Sequence, residues 1–546
     1  MIKYTGKGVY GAVAIGKIAV YKRQTAEVNK VRITDVDAEK ARVDQARAEA
    51  TEQLQKIYDK ALSEVGEEEA AIFEVHMMML EDEDFNDAIN GMIETDLVNA
   101  EFAVASARDQ FAEQFSSMDD SYFQARAADI KDISDRLLNC LAKAGAGADL
   151  SGDSMIICSD DLAPSETVSL DKSKVLAFAT AYGSSNSHTA ILARNMNIPA
   201  VIGLGQEFLE GIADGQMCCV DGYTGEVFVN PDDETLARLT AKRDEDLQKK
   251  SKLKELIGKE NVTKDGKSIK IFCNIGGPKN IPEVQENDGG GIGLFRSEFL
   301  YLENSDYPSE EQQFEAYKNV LEQMKGKTVV IRTLDIGADK KVDYFKLDEE
   351  ENPAMGLRAI RICLTRPDIF KTQLRTLYRA SVYGNLGIMF PMITSESEVS
   401  EIMGFCDIIR AELDAEGIPY ADNIEHGIMI ETPAAAVISD KLAPLVDFFS
   451  VGTNDLTQYT LACDRQNSKI ERFVDTHHEA VLRLIEMAAK AAHDNGKWIG
   501  ICGELGADTS LTERFLRMGI DELSVSPPAV LKVRDKVRSI DLTSSQ

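Results

Sequence analysis

Eight short apolar runs punctuate residues 261–546, at 269–273, 292–295, 328–332, 388–392, 428–431, 447–451, 498–502 and 522–525. Most are separated by stretches with apolar residues at every third or fourth position, the period of an amphipathic helix. Eight alternating strand and helix units in a segment of this length describe a (β/α)8 barrel. Such a barrel places its chemistry at the C-terminal ends of its strands.

The rest of the chain has a different texture. Residues 34–145 contain no proline and only Gly66 and Gly91 before Gly145, and Ala, Glu, Gln, Leu and Arg dominate. That composition, with apolar spacing of three and four, predicts an all-α bundle of four helices over 23–145. Residues 146–230 alternate β-rich runs with Gly/Asp turns and one helix near 188–196, a small α/β domain. Residues 1–22 read as a β-hairpin of the same character, so the bundle is expected to be an insertion into that domain. Residues 231–260, acidic early and lysine-rich late, read as a linker helix leading to the barrel at 261–546. The expected class is thus multidomain α/β, with a C-terminal barrel, a small α/β domain and an inserted helical bundle.

Charge narrows the partners. The chain has 92 Asp and Glu against 60 Lys and Arg, a net charge of −32. That excludes general binding to nucleic acid or to an anionic membrane. No apolar stretch is long enough to span a bilayer, and the first residues do not form a signal peptide. Nine scattered cysteines without CxxC pairs fit a reducing cytoplasm. An anionic substrate would need a locally basic site.

The strand ends provide one. Arg296 closes the second run and Arg332 the third, and either can fork onto carboxylate or phosphate oxygens. Glu431 ends the fifth, Asp455 follows the sixth, and Arg465 lies ten residues beyond it. Two carboxylates plus a substrate phosphate are how Mg²⁺ is usually held, so the set fits a phosphorylated carboxylic acid bound through magnesium. Charged residues also cap strand ends simply because loops are wet, but five at successive ends are hard to explain that way. Cys502, at the seventh end, is either an inert core thiol or an acid that protonates a substrate carbon.

A second constellation runs Tyr182-Gly183-Ser184-Ser185-Asn186-Ser187-His188-Thr189-Ala190. A Gly/Ser loop entering a helix offers N–H groups to an anion, and a histidine there suits a phosphoryl carrier. The plain alternative makes Ser187 an N-cap and His188 an ordinary first-turn residue.

Longer motifs carry a resemblance. Ser187-His188-Thr189-Ala190-Ile191-Leu192-Ala193-Arg194, Gly291-Ile292-Gly293-Leu294-Phe295-Arg296-Ser297-Glu298, Val451-Gly452-Thr453-Asn454-Asp455 and Gly500-Ile501-Cys502-Gly503-Glu504 resemble the enzyme I family of the bacterial sugar phosphotransferase system, over about residues 3–540. The resemblance implies a phosphoenolpyruvate–protein phosphotransferase. His188 would be the phosphorylated histidine of a swivelling domain, and Cys502 the acid that protonates the enolate. Glu431 and Asp455 would bind Mg²⁺, and Arg296, Arg332, Asn454 and Arg465 would hold phosphate and carboxylate. Lys340 and Arg358 match further basic positions. The phosphoryl group would pass on to the carrier protein HPr, docked on the bundle, and a homodimer through the barrel is expected. Residues 61–90 suit a basic partner, with ten acids, no Lys or Arg, and Met77, Met78, Met79, Leu80 and Phe85 among them, although a solvated acidic face over core methionines reads the same way. Ser184 and Asn186 depart from the family's Gly and Thr before the histidine; Asn still donates a hydrogen bond. The alternatives are a dikinase or phosphoenolpyruvate synthase-like enzyme, which would need a nucleotide-binding domain, and a non-catalytic HPr-binding regulator.

Overall fold

The computed structural model describes residues 1–21, 28–64, 67–117, 121–142, 154–162, 174–183, 188–196, 198–302, 304–337, 342–348, 350–465 and 467–544, with Glu166 and Leu170. The chain forms two compact units, Met1–Lys249 and Lys250–Gln546, and the boundary falls inside the helix Asp233–Lys254.

In the first unit, β1 (Ile2–Thr5), β2 (Lys7–Tyr10) and β3 (Val13–Val20) precede five helices: α1 (Val36–Glu64), α2 (Glu67–Glu81), α3 (Glu83–Asp96), α4 (Ala100–Ser116) and α5 (Ser121–Leu141). After them come β4 (Met155–Ser159), β5 (Val175–Thr180), β6 (Ala200–Ile202), β7 (Met217–Asp221) and β8 (Glu226–Val229). These eight strands make one mixed sheet in the order β1-β8-β7-β3-β4-β5-β6-β2.

The opening strands are not a hairpin. β1 pairs with β8, β2 with β6, and β3 lies between β4 and β7. Glycine lets distant segments close on one another here: a Cβ on Gly8 would stand 2.1 Å from the carbonyl oxygen of Gly222. The bundle has five helices among the described residues rather than four. The break between α2 and α3 comes from Asp82, whose carboxylate accepts the Phe85 N–H at 2.9 Å and starts a new helix. Within the acidic run, Leu80 and Phe85 are core, whereas Met78 is 71% exposed, with Glu74, Glu81, Asp84 and Asp87 also on the surface.

In the second unit, β9 (Lys270–Ile275), β10 (Ile292–Arg296), β11 (Thr328–Arg332), β12 (Asn385–Phe390), β13 (Glu425–Ile430), β14 (Phe448–Val451), β15 (Trp498–Ile501) and β16 (Glu522–Val525) pair in parallel and close on themselves, β16 against β9. All eight apolar runs of the sequence lie on these strands or run one or two residues past their ends. Alternation along each strand divides the apolar side chains into two sets. Ile271, Val329, Ile331, Ile388, Ile428 and Ile430 pack outward in one buried cluster with the helices. Leu294, Val330, Met389, Met429, Phe448 and Cys502 pack inward in another. Phe448 stacks on Trp498 at 4.5 Å and fills the lower end of the lumen, where Gly427 has no side chain because a Cβ would meet the Phe448 ring at 2.3 Å. The interior is a packed core, so polar chemistry is left to the rim. Among the described residues no helix is long and apolar enough to cross a membrane.

Candidate active site

Arg332 is the last residue of β11 and only 6% exposed. A buried guanidinium needs compensating charge. Two carboxylates supply it, Glu298 through a direct ion pair and Asp335 at 2.8 Å. Burial alone would weaken the cation, but Asp335 and Glu298 outweigh it and raise its pKa. Asp335 then reaches Arg358 with its other oxygen at 2.9 Å. Arg358 continues to Asp455 at 3.4 Å and donates to the Tyr459 hydroxyl at 3.1 Å. Arg332, Asp335, Arg358 and Asp455 thus form one buried chain of alternating charge. Backbone strain accompanies it. Ala359, beside Arg358, has φ 52°, and Met392 has φ 59°. Non-glycine residues hold such conformations only where the surroundings impose them, a pattern concentrated at functional sites.

Met392 shows what the strain does. Its N–H points at Glu431 Oε1, 2.5 Å away. Glu431 follows β13 directly and is 1% exposed. Burial, then Asp455 and Asp335, push its carboxyl up to about 8 against the pull of Arg332 and Arg358. Gly452 leaves it room, since a Cβ there would stand 3.0 Å from Glu431 Oε2. Asp455 Oδ1 is buried with no hydrogen-bond partner among the described residues, and its nearest cation is Arg465 at 3.9 Å. Two hard carboxylates, one with an orphaned oxygen and one held in a cradle that only glycine permits, suit a divalent cation. No group of three or more His, Cys, Asp or Glu among the described residues could hold a metal, so such an ion would need substrate oxygens to complete its shell.

Arg296 ends β10 and differs from its neighbours. It is exposed and makes no hydrogen bond or ion pair with any described residue. Desolvation first, then Arg332 and Arg465, lower its pKa despite nearby Glu298. A cation crowded by cations, on an open rim, is a receptor for an anion. Asn454 is half-buried and exchanges two hydrogen bonds with Glu504, each 3.2 Å. Cys502 lies one level down, 3% exposed, its Sγ 3.6 Å from the Val451 carbonyl oxygen. Burial pushes its thiol up to about 12, although Ser450 and Arg332 pull the other way. The thiol is therefore a proton donor at neutral pH, not a thiolate.

The barrel brings together Arg296, Arg332, Arg358, Glu431, Asn454, Asp455, Arg465 and Cys502 at one end. Lys340 lies outside the described residues. Glu298, Asp335, Tyr459 and Met392 were not singled out from sequence. For Asp335 a signal existed, an acid three residues past a strand-end arginine. For Met392 there was none, because backbone handedness at a non-glycine residue leaves no mark in composition.

In the first unit, His188 is the first residue of the helix His188–Met196. Its side chain, and residues 184–187 with Ser184 and Asn186, lie outside the described residues. The turn that presents it is anchored by Thr189, fully buried, whose hydroxyl bonds Asp161 at 3.0 Å and receives the Leu162 N–H at 3.3 Å.

A parallel barrel with arginines and paired carboxylates on its C-terminal rim defines a class of enzyme that binds small phosphorylated acids. Residues 250–542 match the PEP-binding domain of PEP-utilising enzymes, residues 152–225 their mobile domain and residues 5–126 their N-terminal domain. The chain belongs to the PEP-utilising enzyme family. Relatives in that family bear a particular name. The phosphoenolpyruvate-protein phosphotransferase of Priestia megaterium is 42% identical over 540 residues, covering 98% of this chain and 94% of its own. Those of Staphylococcus carnosus and Bacillus subtilis are 43% and 41% identical, covering 97% and 99% of this chain and 92% and 95% of their own.

Proposed function

We propose that this protein transfers the phosphoryl group of phosphoenolpyruvate to its own His188 and then to a histidine of the carrier protein HPr, releasing pyruvate. The observation that carries this reading is the rim itself: an unpaired Arg296 beside cations already neutralised by Glu298, Asp335 and Asp455, with a protonated thiol below. Phosphoryl transfer asks for position and charge compensation more than for covalent work. Arg296 and Arg465 would receive the substrate's phosphate and carboxylate, and Asn454 would orient them. Arg332 and Arg358 are held rigid by their carboxylates, so they need little reorganisation as charge moves onto the enolate. Glu431 and Asp455 would hold Mg²⁺ together with substrate oxygens. The ion, when bound, neutralises phosphate charge. The Cys502 thiol then delivers its proton to the methylene carbon, which gives pyruvate.

The acidic, Met78-bearing surface of the bundle is our HPr docking site, where exposed carboxylates steer a basic partner and one apolar side chain anchors it. We place a dimer contact on the barrel, where Val437, Leu445 and Met487 are exposed on neighbouring helical segments. A reducing, cytoplasmic setting accords with nine free cysteines. No match to a nucleotide-binding domain supports the dikinase alternative. The test is to incubate the protein with Mg²⁺ and labelled phosphoenolpyruvate. We expect acid-labile, base-stable label on His188, absent from His188→Ala; equal label in both would reject the assignment.

A further inference from the structure

The mechanism leaves one buried acid unused. Glu522 begins β16, is 1% exposed and points into the barrel. Its Oε2 lies so close to Gly500 that a Cβ there would come within 1.8 Å, and its Oε1 would stand 2.3 Å from a Cβ on Gly293. The same point over Gly293 is 2.5 Å from Ser524 Oγ. Two glycines on two strands therefore admit a carboxyl and a hydroxyl side by side. Glu522 Oε1, Ser524 Oγ and Ser450 Oγ are buried with no hydrogen-bond partner among the described residues.

The ladder puts this group under Cys502. Gly500 pairs with Glu522 and Ile501 with Leu523, so the next inward residues, Cys502 and Ser524, face each other one level up. Asn274 ties that level together, one amide donating to the carbonyl oxygens of Cys502 at 2.8 Å and Ser524 at 3.1 Å. Ser450, from the other side, pairs with Gly500. Below, Glu522 pairs with the exposed Lys270.

We infer that Glu522, through the Ser524 hydroxyl, returns a proton to Cys502 after each turnover. This rests on the role of Cys502 proposed above. When the thiol protonates the enolate, its S–H bond breaks, a C–H bond forms, and a thiolate remains in a buried layer. The Ser524 O–H proton passes to sulfur as the Glu522 carboxyl proton passes to the serine oxygen. The carboxylate left behind recovers a proton from solvent water at the lower mouth, beside Lys270. The direction is downhill, since burial holds the Glu522 carboxyl at about 8 and the Cys502 thiol at about 12. Glu522 never touches substrate and is a positioning residue that acts only through Cys502.

The full-length Glu522→Gln protein tests this, because its Cys502 begins protonated. We expect the first pyruvate, formed on mixing with phosphoenolpyruvate and Mg²⁺ without HPr, to appear at the wild-type rate. Steady-state turnover with HPr should fall at least about tenfold, with KM for phosphoenolpyruvate unchanged. A steady-state rate equal to wild type overturns the relay. Cys502→Ala separates the two ideas. It should slow even the first turnover, and a wild-type first turnover there rejects the acid itself and the relay with it. Should Glu522→Gln not fold, Ser524→Ala is expected to give the same split between first and later turnovers, and its absence overturns the relay equally.

Discussion

The barrel rim and the acidic face of the bundle both carry dense charge, yet they are built by opposite rules. At the rim, Arg332, Asp335, Arg358 and Asp455 are each under 9% exposed and hold one another within 3.4 Å. On the bundle, Glu74, Glu81 and Asp87 stand in water. Buried charges are costly to strand, because removing one partner leaves the other desolvated. Exposed charges contribute little to stability and act mainly on the encounter with a partner. The same residue types therefore serve rigidity in one place and steering in the other.

The sharpest way to break this contrast is Asp335→Ala, which strands two arginines at once. We expect a loss of about 3–5 kcal/mol, read as a fall of roughly 10²- to 10³-fold in kcat/KM for phosphoenolpyruvate, together with a lower unfolding temperature. A change below threefold in steady-state pyruvate release would mean the rim is not pre-organised by Asp335. Next in size is Cys502→Ser. General acid catalysis contributes about 10²-fold or more, so kcat for pyruvate formation should drop by that order while KM stays put. Loss of binding instead of turnover would make Cys502 a packing residue.

How far these features could be read from sequence follows from their range. The barrel strands were legible because each is buried on both faces and reads as a short continuous apolar run. Arg296, Arg332, Glu431, Asp455 and Cys502 were legible because a strand end followed by a charge or thiol has a known place in a barrel. Glu298 and Asp335 act as partners in space, and no local pattern marks a carboxylate that will be buried against an arginine. The opening strands were misread as a hairpin because their partners, such as β8 for β1, lie about 220 residues away. The extra helix was missed because Asp82 looks like one more acid in an acidic run, while its cap to Phe85 is geometric. Glu522 drew no attention, since the glycines that make room for it sit on other strands.

On the bundle the contrast predicts a selective effect. Replacing Glu74, Glu81 and Asp87 together by lysine should raise KM for HPr about tenfold at low ionic strength, and less at high salt. The rate of His188 phosphorylation by phosphoenolpyruvate should be unchanged, and stability should stay within about 0.5 kcal/mol per site. An equal loss in the first half-reaction would show that these carboxylates belong to the fold and not to a docking face.

The smallest effect concerns the barrel interior and turns on the sign of one titration. In the unfolded chain Glu522 would titrate near 4.3. In the fold, burial pushes it up to about 8, only partly offset by Lys270 and Ser524. Between these values the native state holds a proton that the unfolded state has lost. Stability from this group is therefore full below about pH 4, declines as pH rises, and levels off above about 8. Glu522→Gln cannot ionise and should not share this decline. Unfolding temperatures of the two proteins, measured without substrate or metal from pH 5 to pH 9, should converge or cross, with the wild type losing more. Parallel curves would mean that Glu522 meets enough water inside the barrel to titrate as a surface carboxylate does, and the interior would then follow the rule of the bundle rather than that of the rim.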